Sequence, residues 1–277
     1  MIKYYYYEVP MNIFEYIKLD LDEKPLDRIV TDGGMCAVFR SICCIGDSLS
    51  SGEFESIDEN SEKKYHDMFE YSWGQYIARS CGAKVLNFSK GGLTAKEYCD
   101  SFAEANGFWD EDKRAQAYVI ALGYNDLFGL KMSVGSLDDV CFDDCEKNAE
   151  TFAGYYCRII QKVKKIVPDA KFFLVSMPRT EDEKQNAEKA EHNRLLHSIA
   201  EAFENTYTVD LYTYSPIHDE DFRNRFYMGG HMTPTGYILS ARMIESYIDY
   251  IVRHNCKDFK ETAFIGTSLR YYKNDDK

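Results

Sequence analysis

Ser48, Asn125 and His231, with the glycine pair Gly91-Gly92, are the residues of this chain whose types and surroundings could do chemistry. Ser48 follows the apolar run Ile42-Cys43-Cys44-Ile45 and the turn residues Gly46-Asp47. A run of that length, stopped by a glycine, fits a buried parallel strand, and in open α/β sheets ligands collect at the carboxyl ends of strands. A hydroxyl delivered there is placed as a nucleophile. Gly-Asp-Ser is also ordinary turn vocabulary, so this reading depends on what else the chain brings to its strand ends.

Two further segments bring groups suited to a developing negative charge. Lys84 to Ser89 reads as a strand that runs into Gly91-Gly92, and Thr94 and Glu97 stand in the capping-box relation that opens a helix. Backbone N–H groups ahead of a helix are unsatisfied and attract anions, and glycine lets a ligand approach them. The strand Ala117 to Leu122 ends in Gly123-Tyr124-Asn125-Asp126, where the Asn125 amide is a second donor to the same place. His231 lies in the loop Gly229-Gly230-His231-Met232, just ahead of a helix that Thr233 caps and Pro234 begins.

The elements that must hold these groups alternate regularly. After the strands already named, a helix from about 148 to 167 precedes a strand from Lys171 to Met177, and a helix from about 183 to 203 precedes a short strand from Tyr207 to Leu211. A helix over Tyr71 to Ser80, ended by Gly82, separates the first two strands. Such alternation implies about five parallel strands, right-handed crossovers and helices on both faces. The acidic stretch Ser50 to Asp67 reads as a surface loop or lid at the mouth of the site, residues 131–148 as irregular, and Ala263-Phe264-Ile265 as a short strand. Three regions are expected: an N-terminal extension over 1–40, with an edge strand or hairpin near Tyr4 to Tyr7, a main domain over 41–255 and a tail over 256–277.

Composition narrows the partners. The 277 residues carry 33 Lys and Arg against 46 Asp and Glu, a net charge of −13, which disfavours nucleic acid and anionic membrane surfaces as partners and suits a neutral small molecule. No basic segment followed by an apolar stretch opens the chain and no long apolar run crosses it, so membrane insertion is not expected and the expected location is the cytoplasm. The nine cysteines form no C-x-x-C pair and read as reduced, mostly buried thiols. The histidines are scattered, and neither a metal nor another cofactor is expected.

Together, Gly46-Asp47-Ser48-Leu49, Asn87 to Thr94, Gly123-Tyr124-Asn125-Asp126 and Gly230-His231 resemble the four sequence blocks of the GDSL, or SGNH, hydrolase family, in order over about residues 41 to 255. The resemblance implies an α/β class, three-layer α/β/α, flavodoxin-like fold and ester hydrolysis. By position it implies Ser48 as nucleophile, His231 as base, and Gly92 and Asn125 as oxyanion donors beside the Ser48 N–H. Asp47, Gly91 and Tyr124 flank these and are expected to line the substrate. An ordinary α/β-hydrolase is a poorer match, because Ser50 stands where G-x-S-x-G has its last glycine.

One position departs from the pattern. The family places an aspartate three residues before the histidine, and here Met228 stands there. Either a backbone carbonyl meets His231 Nδ1, leaving a Ser-His dyad, or a nearby acid such as Asp221 or Asp219 takes the role. The family's range includes acetyl groups on sugars, short-chain esters, thioesters and lipids. The acidic mouth favours deacetylation of a carbohydrate or similar small neutral ester, with a short-chain lipase or thioesterase, or a binding protein that keeps the fold without catalysis, as the competing readings.

Overall fold

The computed structural model describes residues 17–271. In chain order its strands are β1 (Ser41–Gly46), the pair β2 (Glu53–Ile57) and β3 (Lys63–Asp67), β4 (Lys84–Ser89), β5 (Ala117–Ala121), β6 (Lys171–Val175), β7 (Thr206–Val209), and the short pair β8 (Tyr227–Met228) and β9 (His231–Met232). Five of them form one parallel sheet in the order β4-β1-β5-β6-β7. The order reverses beside β1, so the crevice at the carboxyl end of β1 lies at a topological switch point, where α/β sheets bind ligands.

The inner strands are apolar throughout because both sheet faces are covered. Successive side chains alternate: Cys43, Ile45, Tyr118, Ile120, Phe172 and Leu174 enter one core, while Ile42, Cys44, Val119 and Phe173 enter the other. The helices Phe152–Ile166 and Glu183–Ala202 close the first core; Trp73–Cys81 and Pro234–His254 close the second. The result is the three-layer α/β/α arrangement expected from the alternation. Ile45 and Phe172 are fully buried, and each such side chain contributes about 1.5–3 kcal/mol.

Residues 17–40 run along the helix Pro234–His254. There the Met35 N–H donates to Asp249 Oδ1 at 2.8 Å, and Arg253 pairs with Glu23 and Asp249 at 2.6 and 2.7 Å. All nine cysteines are unpaired thiols. The expected strand or hairpin at Tyr4 to Tyr7 lies outside the described residues.

Four local expectations are corrected. Ser50 to Asp67 is not a loop: after the short helix Ser48–Ser51 it folds as the antiparallel hairpin β2–β3, in register Glu53 with Asp67 and Glu55 with Tyr65. Ala263 to Ile265 is a 3-10 turn over Thr262–Phe264. The fifth strand stops at Val209, because Asp210 caps a short helix Leu211–Tyr214 by accepting from the Thr213 N–H. At the second block, Thr94 accepts from the Glu97 N–H as the capping box requires, but the Glu97 carboxylate pairs with Lys90 at 2.5 Å.

Candidate active site

The carboxyl end of β1 turns sharply at Gly46. A Cβ there would stand 2.0 Å from Ser50 Oγ, so only glycine lets the chain fold straight into the helix Ser48–Ser51. Asp47 caps that helix, accepting from the Leu49 N–H at 3.1 Å. Burial raises the Asp47 carboxyl to about 6 against the opposing pull of the Leu49 N–H and of His231. Ser48 itself is half-buried at the head of the helix.

His231 is held by the tight β8–β9 pair, opposite Met228, whose side chain turns outward to solvent. Strand periodicity in β2 decides what meets the imidazole. Phe54 faces inward, edge-on to Tyr71 and Tyr237 at 5.7 and 5.5 Å, so Glu53 and Glu55 both project from the opposite face. The two carboxylates bracket the ring: Glu55 Oε1 lies 2.9 Å from His231 Nδ1, and Glu53 Oε1 lies 3.0 Å from Nε2. Tyr65, across the hairpin from Glu55, adds an edge contact to His231 at 5.8 Å.

The seat of Glu55 is built for a carboxylate. The Gly230 N–H donates to Oε1 at 2.5 Å, Lys63 Nζ lies 3.0 Å from Oε2, and a Cβ on Gly229, whose φ is 71°, would strike Oε2 at 2.2 Å. Burial pushes the Glu55 carboxyl up, but Lys63, His231 and the Gly230 N–H outweigh it and hold the group below the ordinary range. Glu53 differs. Burial raises it, His231 opposes, and Asp67 and Glu55 raise it further. Its second oxygen lies against Gly91, where a Cβ would come within 1.9 Å, while its backbone carbonyl accepts from Tyr237 Oη at 2.7 Å.

The second and third blocks, expected to supply donors, are tied to each other. Gly92 takes a left-handed φ of 71° and is exposed. Asn125 Nδ2 donates to the Leu93 carbonyl at 3.2 Å, which ties the amide to the glycine turn. Beneath them the fully buried Asp126 accepts from the Ala95 N–H at 2.9 Å, with burial raising its carboxyl to about 6. Tyr124 is exposed and leans on Phe128 at 5.0 Å.

Neither expected source of the third group stands at His231 Nδ1. Asp219 caps the helix Glu220–Phe226 by accepting from the Phe222 N–H at 2.8 Å, and Asp221 forms a two-pronged surface pair with Arg225 at 3.0 Å. Nδ1 meets a carboxylate and not a backbone carbonyl. Sequence reading missed Glu53 and Glu55 because acidity suggested a solvated loop. The alternation Glu-Phe-Glu was the strand signal that could have found them.

A three-layer sheet with a serine, an imidazole and two donor segments at the switch point defines the architecture of an α/β/α hydrolase. The chain matches the GDSL-like lipase/acylhydrolase family over residues 44–239 and belongs to it. It is similar in structure to a family two carbohydrate esterase from Clostridium thermocellum, solved with cellohexaose, at TM-score 0.53 and 17% identity, covering 79% of this chain and 65% of that one. A family 3 carbohydrate esterase from Clostridium thermocellum gives TM-score 0.50 at 17% identity over 77% of this chain and 97% of the other. A Lactobacillus plantarum protein gives 0.55 at 15% identity over 76% and 97%. At such identities the likeness is one of fold. No curated protein matches the chain. Among the described residues, no helix is long and apolar enough to cross a membrane, and no three His, Cys, Asp or Glu side chains gather as metal ligands would.

Proposed function

We propose that this protein is a serine esterase that removes small acyl groups, acetyl foremost, from a carbohydrate or a comparable small alcohol. The observation that carries the reading is the His231 imidazole gripped at Nδ1 by Glu55, at the strand end where Ser48 is displayed. With Nδ1–H donating to Glu55, Nε2 is the basic nitrogen, which is the tautomer a serine nucleophile requires.

Catalysis begins as the Glu53 side chain leaves Nε2. Ser48 Oγ then bonds to the ester carbonyl carbon while its proton passes to Nε2, and the carbonyl oxygen becomes an oxyanion held by the Ser48 and Gly92 N–H groups and the Asn125 amide. Collapse breaks the carbon–oxygen bond to the alcohol, which leaves with the proton from Nε2. Water, deprotonated by the same nitrogen, releases the acid and restores Ser48. The fold likeness to two carbohydrate esterases supports a sugar ester over a long-chain lipid.

A fluorophosphonate probe and p-nitrophenyl acetate test the reading. The wild-type protein is expected to label at Ser48 and to turn over the ester, and Ser48→Ala to lose labelling and on the order of 10⁴-fold or more in kcat. A wild-type protein inert to both reagents would leave the binding-protein reading in its place.

A further inference from the structure

The residues behind Tyr227 form the electrostatic opposite of the His231 site. His218 is 4% exposed, stacks on Phe222 at 4.0 Å and shares a hydrogen bond of 3.1 Å between Nδ1 and Tyr227 Oη. Its backbone N–H donates to the Arg179 carbonyl at 2.8 Å, and it bridges Thr180. Lys189, 3% exposed, reaches Thr180 Oγ1 at 3.3 Å, and Arg223 lies over the Tyr227 ring at 4.7 Å and donates to the Gly229 carbonyl at 3.3 Å. Lys189, His218 and Arg223 therefore border one region, while the Arg179 guanidinium lies over the Tyr212 ring at 5.9 Å.

Its cations lack carboxylate partners. Among the described residues no carboxylate comes within 4.0 Å of Arg179, Lys189 or Arg223, although acids outnumber bases 46 to 33 in the chain. The buried atoms His218 Nε2 and Arg179 Nε have no hydrogen-bond partner. The nearest acids are committed elsewhere, Asp182 to the Lys184 and Gln185 N–H groups and Asp219 to that of Phe222. Burial, with Lys189 and Arg223 adding to it, lowers His218 to about 4, so the ring is neutral and Nε2–H is a donor when Nδ1 accepts from Tyr227. Asp182 and Asp219 act on Lys189 and His218 only from beyond contact distance, and a buried ammonium with no carboxylate in contact is costly, a cost that a bound anion relieves.

We propose that Lys189, His218 and Arg223 form a subsite for a carboxylate carried by the substrate. The region borders the catalytic hairpin directly, because Tyr227 belongs to β8, which pairs with the His231 strand, and Arg223 bonds Gly229 in the turn between them. A substrate whose carboxylate docks behind Tyr227 is thereby oriented toward Ser48. This rests on the esterase reading and changes one expectation drawn from composition. The net charge of −13 favours a neutral substrate only if charge is spread evenly, and here it is not.

The carboxylate can belong to the alcohol or to the acyl group, and two substrate pairs separate these sources: acetylated glucuronic acid against acetylated glucose, and mono-p-nitrophenyl glutarate against p-nitrophenyl butyrate. The wild-type protein is expected to prefer the acidic member of at least one pair in kcat/KM by about tenfold or more, and Arg223→Gln and Lys189→Met each to erase most of that preference while turnover of p-nitrophenyl acetate stays within a few-fold. Free glucuronate or glutarate, and not glucose, is expected to raise Tm in the wild-type protein and in Ser48→Ala, but not in Arg223→Gln. Arg223 is exposed, so that variant reports even if Lys189→Met fails to fold. Equal rates within both pairs, together with no Tm response to either acid, would overturn the subsite while leaving the esterase standing. A carboxylate-dependent Tm shift in a protein inert to fluorophosphonate would keep the subsite and remove the esterase.

Discussion

Two histidines stand on either side of Tyr227 in opposite surroundings. His231 has a carboxylate at each ring nitrogen, at 2.9 and 3.0 Å, whereas His218 has a phenol at one nitrogen, an unpartnered buried atom at the other, and Lys189 and Arg223 nearby. Carboxylates make an imidazole able to take up a proton, while burial among cations keeps it neutral and donating. The same side chain thus sits between two carboxylates in one place and is a neutral donor among cations in the other. What separates them is the hairpin β2–β3, which brings acids to His231 and none to His218.

The comparison breaks most severely at Glu55. Glu55→Gln is expected to lower kcat by about 10³- to 10⁴-fold without unfolding the protein, since an amide can hold the wrong tautomer in the same place, while Asp219→Asn and Asp221→Asn leave kcat unchanged. Steady-state kinetics on p-nitrophenyl acetate check all three. If Glu55→Gln retains full kcat, the acid at Nδ1 is dispensable and His231 works as a dyad with Ser48.

Asn125→Ala comes next, with an expected loss of about 10²- to 10³-fold in kcat at nearly constant KM, because its amide serves the charge that appears only in the transition state. The smallest effect is expected at Glu53. Glu53→Gln removes the carboxylate that lies 3.0 Å from His231 Nε2, the nitrogen proposed to serve Ser48. Fluorophosphonate labelling of Ser48 at neutral pH then quickens by a few-fold. Slower labelling would mean that Glu53 assists the reaction and does not obstruct it.

How much of this was legible beforehand follows from where each signal resides. The sheet was readable because its strands are buried on both faces, so Ile42 to Ile45 and Phe172 to Val175 are apolar without interruption. Ser48 and Asn125 were readable because each is a polar residue just past the end of such a run. The third group at the histidine was not, because its partner lies 176 residues away in sequence and reaches it through tertiary structure. Local composition also misled at β2, where half of a two-faced strand is charged. The cationic region was hidden for a related reason: Lys189, His218 and Arg223 come from separate elements, and a charge total has no positions in it.

The hairpin also has a topological consequence. Ser48 and Glu55 ride on one short contiguous piece of chain, with the histidine supplied from far downstream. Cutting the polypeptide at the exposed tip between Ile57 and Lys63 would leave the proposed nucleophile and acid on one fragment and the proposed base on the other, so on the esterase reading the two halves would have to reassemble before either could act.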